Sequence, residues 1–277
     1  MPTAKIPKIV IAGIAGRMGR ASAKAILGEA DLVLVGGFDQ PGSRIVGQDI
    51  GALAATGDDS TGILVSNDFK ACMAGAVPDV LLDFTRADAA FANGCFALEQ
   101  GISPVIGTSG LSQKQIEELK EISQRKQIPG LVVPNFSVGA VLMMEFARQA
   151  ALMFGDTEIV EMHHTGKPDA PSGTAMHTLN KMAAAGQKFN EPRVPETELM
   201  AGARGALADS GIRVHSLRLP GLISHQEVLF GGPGELLSIT HDSFNTECFI
   251  KGILLAVRAV RSLSGLLVGL DHVLPGC

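Results

Sequence analysis

The chain has 277 residues, 46% of them hydrophobic and 18% charged, with a formal net charge of −5 and no Trp or Tyr. The acidic balance argues against a nucleic-acid binder, because phosphate affinity rests on clustered Lys and Arg and base stacking on aromatic rings. The absence of Tyr also excludes every mechanism that uses tyrosine as acid, base or nucleophile, including the Tyr-Lys pair of short-chain dehydrogenases.

This length fits one large or two modest domains and buries roughly three quarters of the unfolded surface. Cys72, Cys95, Cys248 and Cys277 are isolated, with no CxxC pair. They read as reduced, mostly buried thiols of a cytoplasmic protein rather than as metal or redox ligands. The opening MPTAKIPKIVIAG lacks the apolar stretch and cleavage site of a signal peptide. The apolar stretch 252–270 is interrupted by Arg258 and Arg261, so it reads as an amphipathic soluble helix rather than a membrane span.

Along the chain, residues 8–12 (KIVIA) are a β-branched run without alternation, as in a parallel strand covered on both faces. A glycine turn and a helical pattern follow. Residues 32–36 (LVLVG) form the second expected strand, 62–65 a short one and 79–84 (DVLLDF) another buried one. A helix is expected over 87–101, a strand over 102–106, a helix over 112–126 with Ser112 as N-cap, and a strand over 131–133. Strands alternating with helices predict a doubly wound α/β domain. Beyond residue 134 the pattern changes. A long apolar helix over 138–154 precedes strands over 157–164, 212–219, 226–230 and 236–241, which predict an open mixed or antiparallel sheet. Residues 192–211 read as a loop, with ETELMAGAR as an alternative short helix. The last helix, 246–263, can return to the first domain.

Gly13-Ile14-Ala15-Gly16-Arg17-Met18-Gly19 lies between the first strand and the first helix. Gly13 suits the tight turn, Gly16 lets backbone N–H groups approach a pyrophosphate, and Gly19 lets helix and strand pack closely. The helix N-terminus then faces the anion. Ala15 replaces the middle glycine of GxGxxG, so the strand–loop–helix context carries the motif. A glycine-rich turn with no cofactor is the bland alternative. Asp39 ends the second strand, where a carboxylate accepts bonds from an adenosine ribose and disfavours a 2′-phosphate. Gln40 beside it adds no positive charge, whereas Arg17 or Arg44 would suit a phosphate.

The densest chemical signal is Glu161-Met162-His163-His164-Thr165-Gly166-Lys167-Pro168-Asp169-Ala170-Pro171-Ser172-Gly173-Thr174-Ala175. A strand ends in two histidines, a turn delivers a lysine, and Ser172 or Thr174 can cap a helix over 175–185 whose N–H groups can hold a carboxylate. Lysine adds a point charge, and histidine carries protons near neutral pH. The segment therefore suits an anionic substrate that must be protonated. Competing readings are a plain helix cap, one buried and one exposed histidine on opposite strand faces, and a metal site. Neighbouring strand residues point apart and no His-x-x-x-His spacing is present, which disfavours the metal.

With GIAGRMGR, DFTRADA, GTSG, VPNFSVG and EMHHTGKPDAPSGTA in this order, the chain closely resembles the 4-hydroxy-tetrahydrodipicolinate reductase (dihydrodipicolinate reductase) family over nearly its whole length. The resemblance implies an α/β protein. A Rossmann-type doubly wound parallel sheet (1–136, completed by a C-terminal helix in 246–277) would bind the dinucleotide. An α+β domain with an open mixed sheet (137–245) would bind substrate and assemble a homotetramer. It implies NADH or NADPH as cofactor, held by Gly13, Ile14, Ala15, Gly16, Arg17 and Met18, by Asp39, by Gly107, Thr108 and Ser109, and by Val133, Pro134, Asn135 and Phe136. His163 would be the catalytic acid or base and Lys167 the proton donor, with His164, Ser172, Gly173 and Thr174 on the substrate carboxylate. No metal, nucleic acid or membrane is implied. The implied reaction reduces a cyclic imine dicarboxylate in the diaminopimelate route to lysine. Some relatives carry Arg after the strand-2 acid, where this chain has Gln40, and a bulkier, more basic pair in place of Thr165-Gly166. Alternative readings are a reductase of another small imino or oxo acid and a dinucleotide sensor without turnover. The sensor leaves His163 and Lys167 without a task.

Overall fold

Apolar β-branched runs and intervening helices build the first half of the chain. A computed structural model describes residues 5–54, 60–108 and 110–275. In chain order the elements are β1 (Lys8–Ala12), α1 (Arg17–Leu27), β2 (Val33–Phe38), α2 (Ile50–Ala54), β3 (Val65–Ser66), α3 (Phe69–Ala76), β4 (Val80–Asp83), α4 (Ala87–Glu99), β5 (Ser103–Ile106), α5 (Gln113–Lys126) and β6 (Gly130–Val132). They continue with α6 (Val138–Ala150), β7 (Asp156–His163), α7 (Gly173–Ala183), β8 (Ala206–Leu207), β9 (Arg213–Arg218), β10 (Ser224–Gly232), β11 (Glu235–Ser243), α8 (Ile250–Ala259) and β12 (Leu266–Val268).

The chain divides into two compact units. The first is Met1–Val138 with Phe249–Cys277, the second Gly139–Cys248. In the first unit, all strand pairs of a seven-stranded sheet are parallel, in the order β12-β6-β5-β4-β1-β2-β3. The order reverses between β1 and β4, the position where open α/β sheets bind ligands beyond their strand ends. Strands β1, β4, β5 and β6 are almost wholly buried, which accounts for their unbroken apolar runs. In the second unit a five-stranded sheet runs β11-β10-β7-β9-β8. Only its β7–β9 pair is parallel, so this sheet is mixed. Its core gathers Ile159, Val228 and Phe230 from the sheet with Leu179 and Met182 from α7.

Several boundaries differ from those expected. The second strand starts at Val33 and continues past Gly36 through Gly37 to Phe38, and both glycines are packing positions. A Cβ on Gly37 would sit 2.5 Å from the Ile14 side chain. The strand expected over 62–65 shrinks to Val65–Ser66, and α2 and α3 were not foreseen. The helix expected over 138–154 ends at Ala150. The strands expected over 226–230 and 236–241 are longer, β10 and β11, joined through Pro233-Gly234 with Gly234 at φ +80°. The ETELMAGAR segment is turns rather than helix. The last expected helix is α8 flanked by 3₁₀ turns, and the chain then adds β12 beside β6. Among the described residues no helix is long and apolar enough to cross a membrane. Cys72, Cys95 and Cys248 are free, half-buried thiols, and burial with nearby Glu118 and Glu99 pushes the Cys95 thiol up to about 11. Cys277 lies outside the described residues.

Candidate active site

The carboxyl ends of the parallel strands carry the glycine loop. Gly13 takes φ +77° and donates its N–H to the Phe38 carbonyl at 2.9 Å, tying the end of β1 to the end of β2. Gly16 closes the turn by donating to the Gly13 carbonyl at 3.1 Å and serves as N-cap of α1. It has no side chain to satisfy the helix start, so that end keeps N–H groups for an anion. Gly19 permits the close approach of helix to loop: a Cβ there would lie 2.4 Å from the Gly13 oxygen and 2.6 Å from Ile14 Cα. Arg17 is exposed at the helix start, Ala15 and Met18 are half-buried, and Ile14 turns its side chain into the core.

Asp39 is 8% exposed. Its Oδ2 accepts the Ala15 N–H at 2.7 Å and its Oδ1 the Gln40 N–H at 2.8 Å. The carboxylate therefore holds the glycine loop as well as ending β2, and each oxygen keeps a lone pair for another donor. Gly107 and Thr108 follow β5, and Val133, Pro134, Asn135 and Phe136 follow β6. The Val133 N–H donates to the Ile106 carbonyl at 2.8 Å, and Gly107 fits between the rings of Phe84 and Phe136, which meet edge to face at 5.9 Å. Ser109 lies outside the described residues.

In the second unit, β7 ends at His163. His163 Nδ1 lies 2.5 Å from Glu161 Oε2. The two residues share a strand face because side chains alternate, and Glu161 is fully buried. The parallel partner strand β9 places Arg218 opposite His163. Its guanidinium grips both Glu161 oxygens, at 2.8 and 3.0 Å, in the bidentate geometry that matches a carboxylate. Glu161 Oε1 also accepts the Ser172 N–H at 3.2 Å. Ser172 Oγ in turn caps α7 by accepting the Ala175 N–H at 3.2 Å. Arg218 further donates to the Asp169 carbonyl at 2.7 Å, and Lys167 Nζ pairs with the Asp169 carboxylate at 2.8 and 2.9 Å. Glu161 thus joins His163, the start of α7 and, through Arg218, the lysine turn.

The electrostatics follow from these partners. Burial would raise the Glu161 pKa, but hydrogen bonds from Arg218, Ser216 and His163 outweigh it and hold the carboxyl below its ordinary value. Burial first, then the charges of Lys167 and Arg218, lower the His163 pKa against the opposing pull of Glu161. The lowered pKa favours the neutral imidazole. The bond to an ionised Glu161 makes Nδ1 the protonated nitrogen and leaves Nε2 as an acceptor. His164 is exposed beside Gly166, Gly173 is exposed at the start of α7 and Thr174 is half-buried in its first turn.

The sequence segment thus brings His163, Lys167 and Ser172 into one connected network. Sequence reasoning left Glu161, Arg218 and Asp169 without roles. The two-residue spacing of Glu161 and His163 on a strand was a usable signal. Nothing local marks Arg218, which arrives through pairing across 57 residues.

Comparison with known proteins places the chain. The model of the dihydrodipicolinate reductase N-terminus matches residues 7–136, and that of the C-terminus matches residues 139–274. A 4-hydroxy-tetrahydrodipicolinate reductase of Moorella thermoacetica is 47% identical over 269 residues, covering 96% of this chain and 97% of the relative. One of Synechococcus elongatus is 44% identical over 270 residues, covering 96% and 98%. A dipicolinate-bound dihydrodipicolinate reductase from Paenisporosarcina sp. TG-14 superimposes with a TM-score of 0.85 at 35% identity, covering 97% of this chain and all of that one. The chain belongs to the dihydrodipicolinate reductase family.

Proposed function

We propose that this chain catalyses the NAD(P)H-dependent reduction of 4-hydroxy-tetrahydrodipicolinate to tetrahydrodipicolinate, in the diaminopimelate route to lysine. The observation that carries the reading is the buried Glu161, which binds His163, Arg218 and the start of α7 beside Lys167, in a chain of this family. The first unit fits a dinucleotide: its glycine loop has no room for a side chain at Gly19, and its helix start has no side-chain cap. Gly13, Ile14, Ala15, Gly16, Arg17 and Met18 are the pyrophosphate cradle, and Asp39 holds the adenosine ribose. Gly107 and Thr108, with Val133, Pro134, Asn135 and Phe136, also touch the cofactor, and Ser109 belongs to the same proposed set. The bound cofactor supplies the hydride.

The remaining work falls to the second unit. Lys167 Nζ neutralises a substrate carboxylate and supplies the proton that balances the hydride, while the 4-hydroxyl leaves the ring as water. Asp169 keeps the ammonium in place through the ion pair seen at 2.8 Å. His163 acts in its neutral form as the base of the pair, with Nε2 turned from Glu161. His164, Ser172, Gly173 and Thr174 hold the other carboxylate by hydrogen bonds at the start of α7. Glu161 orients His163 without touching substrate, so it is a positioning residue.

Asp39 favours NADH over NADPH, while the exposed Arg17 and Arg44 supply positive charge for a 2′-phosphate, so both cofactors serve and NADH serves better. The first unit is the dinucleotide-binding domain, and the second binds substrate and assembles a homotetramer. Exposed Leu236 and Leu237 on β11 and Phe244 just after it support that assembly. Isolated free cysteines support a cytoplasmic location.

Steady-state kinetics on 4-hydroxy-tetrahydrodipicolinate with NADH and NADPH, beside light scattering of the same sample, test this reading. Turnover with both cofactors, a higher kcat/KM for NADH and a tetrameric mass are expected. Cofactor binding without oxidation would favour the sensor instead.

A further inference from the structure

Asp83 is a fully buried carboxylate that the reaction outlined above does not use. It ends β4, opposite Ala12 at the end of β1, at the strand reversal of the parallel sheet. One oxygen accepts both the backbone N–H of Thr85 at 2.7 Å and its hydroxyl. The other accepts from Asn93 Nδ2 on α4 at 2.8 Å. Burial raises its pKa against these bonds. A carboxylate in such a place is costly, because desolvation penalises the charge unless its partners are well arranged.

What the carboxylate holds is the peptide on which two neighbouring loops rest. A Cβ on Gly13 would meet the Phe84 carbonyl carbon and oxygen at 3.0 Å and the Thr85 nitrogen at 3.2 Å, so the glycine loop leans on the Phe84–Thr85 peptide. The Thr85 carbonyl accepts the hydroxyl of Thr108, in the loop after β5. The backbone carbonyl of Asp83 itself accepts the Gly107 N–H at 2.8 Å. The ends of β1, β4 and β5 are therefore referenced to one side chain.

We infer that Asp83 is a positioning residue for the dinucleotide, setting the Gly13 and Gly107–Thr108 loops through the Thr85 peptide. The inference rests on the reading that these loops hold the cofactor. A buried carboxylate that accepts three hydrogen bonds fixes a peptide plane more tightly than packing alone, since each lost partner leaves a desolvated polar group. The charge itself is not required, because an asparagine at this position can keep its oxygen on Thr85 and turn its amide toward Asn93, whose own amide can reverse.

The test is NADH titration by fluorescence, with substrate kinetics and thermal melts, on the full chain and four variants. Asp83→Ala and Thr85→Val are expected to weaken NADH binding about tenfold, the scale of one unsatisfied buried polar group. The KM for 4-hydroxy-tetrahydrodipicolinate should stay within about twofold, a split that a general loss of stability would not produce. Asp83→Asn should restore most of the affinity. Gly16→Val, placed at the helix start, tests the underlying reading. If it leaves NADH affinity unchanged in a folded protein, the loop assignment fails. If Gly16→Val weakens binding but folded Asp83→Ala and Thr85→Val do not, Asp83 has no positioning role. Equal rises in both KM values across these variants would also overturn it, and Thr85→Val keeps the test open where Asp83→Ala does not fold.

Discussion

The two units solve recognition with different materials. The first presents backbone. Its loop depends on glycines, on a helix start without a side-chain cap and on an aspartate whose oxygens hold loop N–H groups. The second presents side chains in a charge network, Glu161 with Arg218 and His163, and Lys167 with Asp169. The division suits the roles proposed for the two units. A pyrophosphate only needs to be held, and fixed dipoles do that without changing protonation. A ring that gains a proton needs groups that titrate, and their charges must be set by neighbours.

This contrast can be broken most directly at Lys167. Lys167→Ala is expected to lower turnover at least about a hundredfold while NADH affinity stays unchanged, because the role proposed for this lysine involves only the proton and the carboxylate. Stopped-flow reduction and NADH titration would measure both, and turnover near the wild-type rate would remove Lys167 from the chemistry. Gly19→Ala attacks the other unit. The added Cβ meets backbone atoms that have little room to move, so the cost should be about 1–3 kcal/mol, seen as a lower Tm and about tenfold weaker NADH binding. A variant that melts and binds normally would show that the loop is not so tightly set.

The smallest expected effect is a shift in pH dependence. The role proposed for His163 uses its neutral form, and burial holds its pKa below the ordinary 6.5. The kcat/KM should therefore be flat just above pH 6.5 on that limb and fall as pH drops through the lowered value. Glu161 pulls this pKa upward, so Glu161→Gln should move the acid limb to still lower pH. An acid limb above 6.5, or one that Glu161→Gln moves upward, would contradict the neutral His163. The same sign applies to folding. A histidine held neutral costs stability only where the unfolded chain takes up the proton first, below about pH 6.5.

Much of the fold was legible, for reasons particular residues make plain. Fully buried strands such as β1 and β4 announce themselves as unbroken apolar runs. The glycine loop declared itself by its place between strand and helix. Legibility failed where one residue type serves two purposes. Gly36 and Gly37 carry no β-branched signal and are nonetheless strand positions, kept small by Val10 and Cys72 around Gly36 and by Ile14 and Ile50 around Gly37. Residues Leu266–Val268 continue an apolar helical stretch in sequence, yet Gly265 at φ +89° and Gly269 at φ +118° set them apart as a strand. In the second unit, the motif exposed His163 and Lys167, but Arg218 becomes a neighbour only once β9 pairs with β7.

Strand β12 has a consequence for biosynthesis. The seven-stranded sheet takes its edge strand from the far end of the chain, whereas the second unit is one uninterrupted stretch, Gly139–Cys248. As the polypeptide leaves the ribosome, that middle stretch emerges whole before the first unit has all its pieces. The part that starts later can finish earlier, and the nascent first unit waits with the outer edge of β6 unpaired. An unpaired strand edge is a template for the wrong partner. Gly130–Val132 is thus the edge that stays open until Leu266–Val268 has been made.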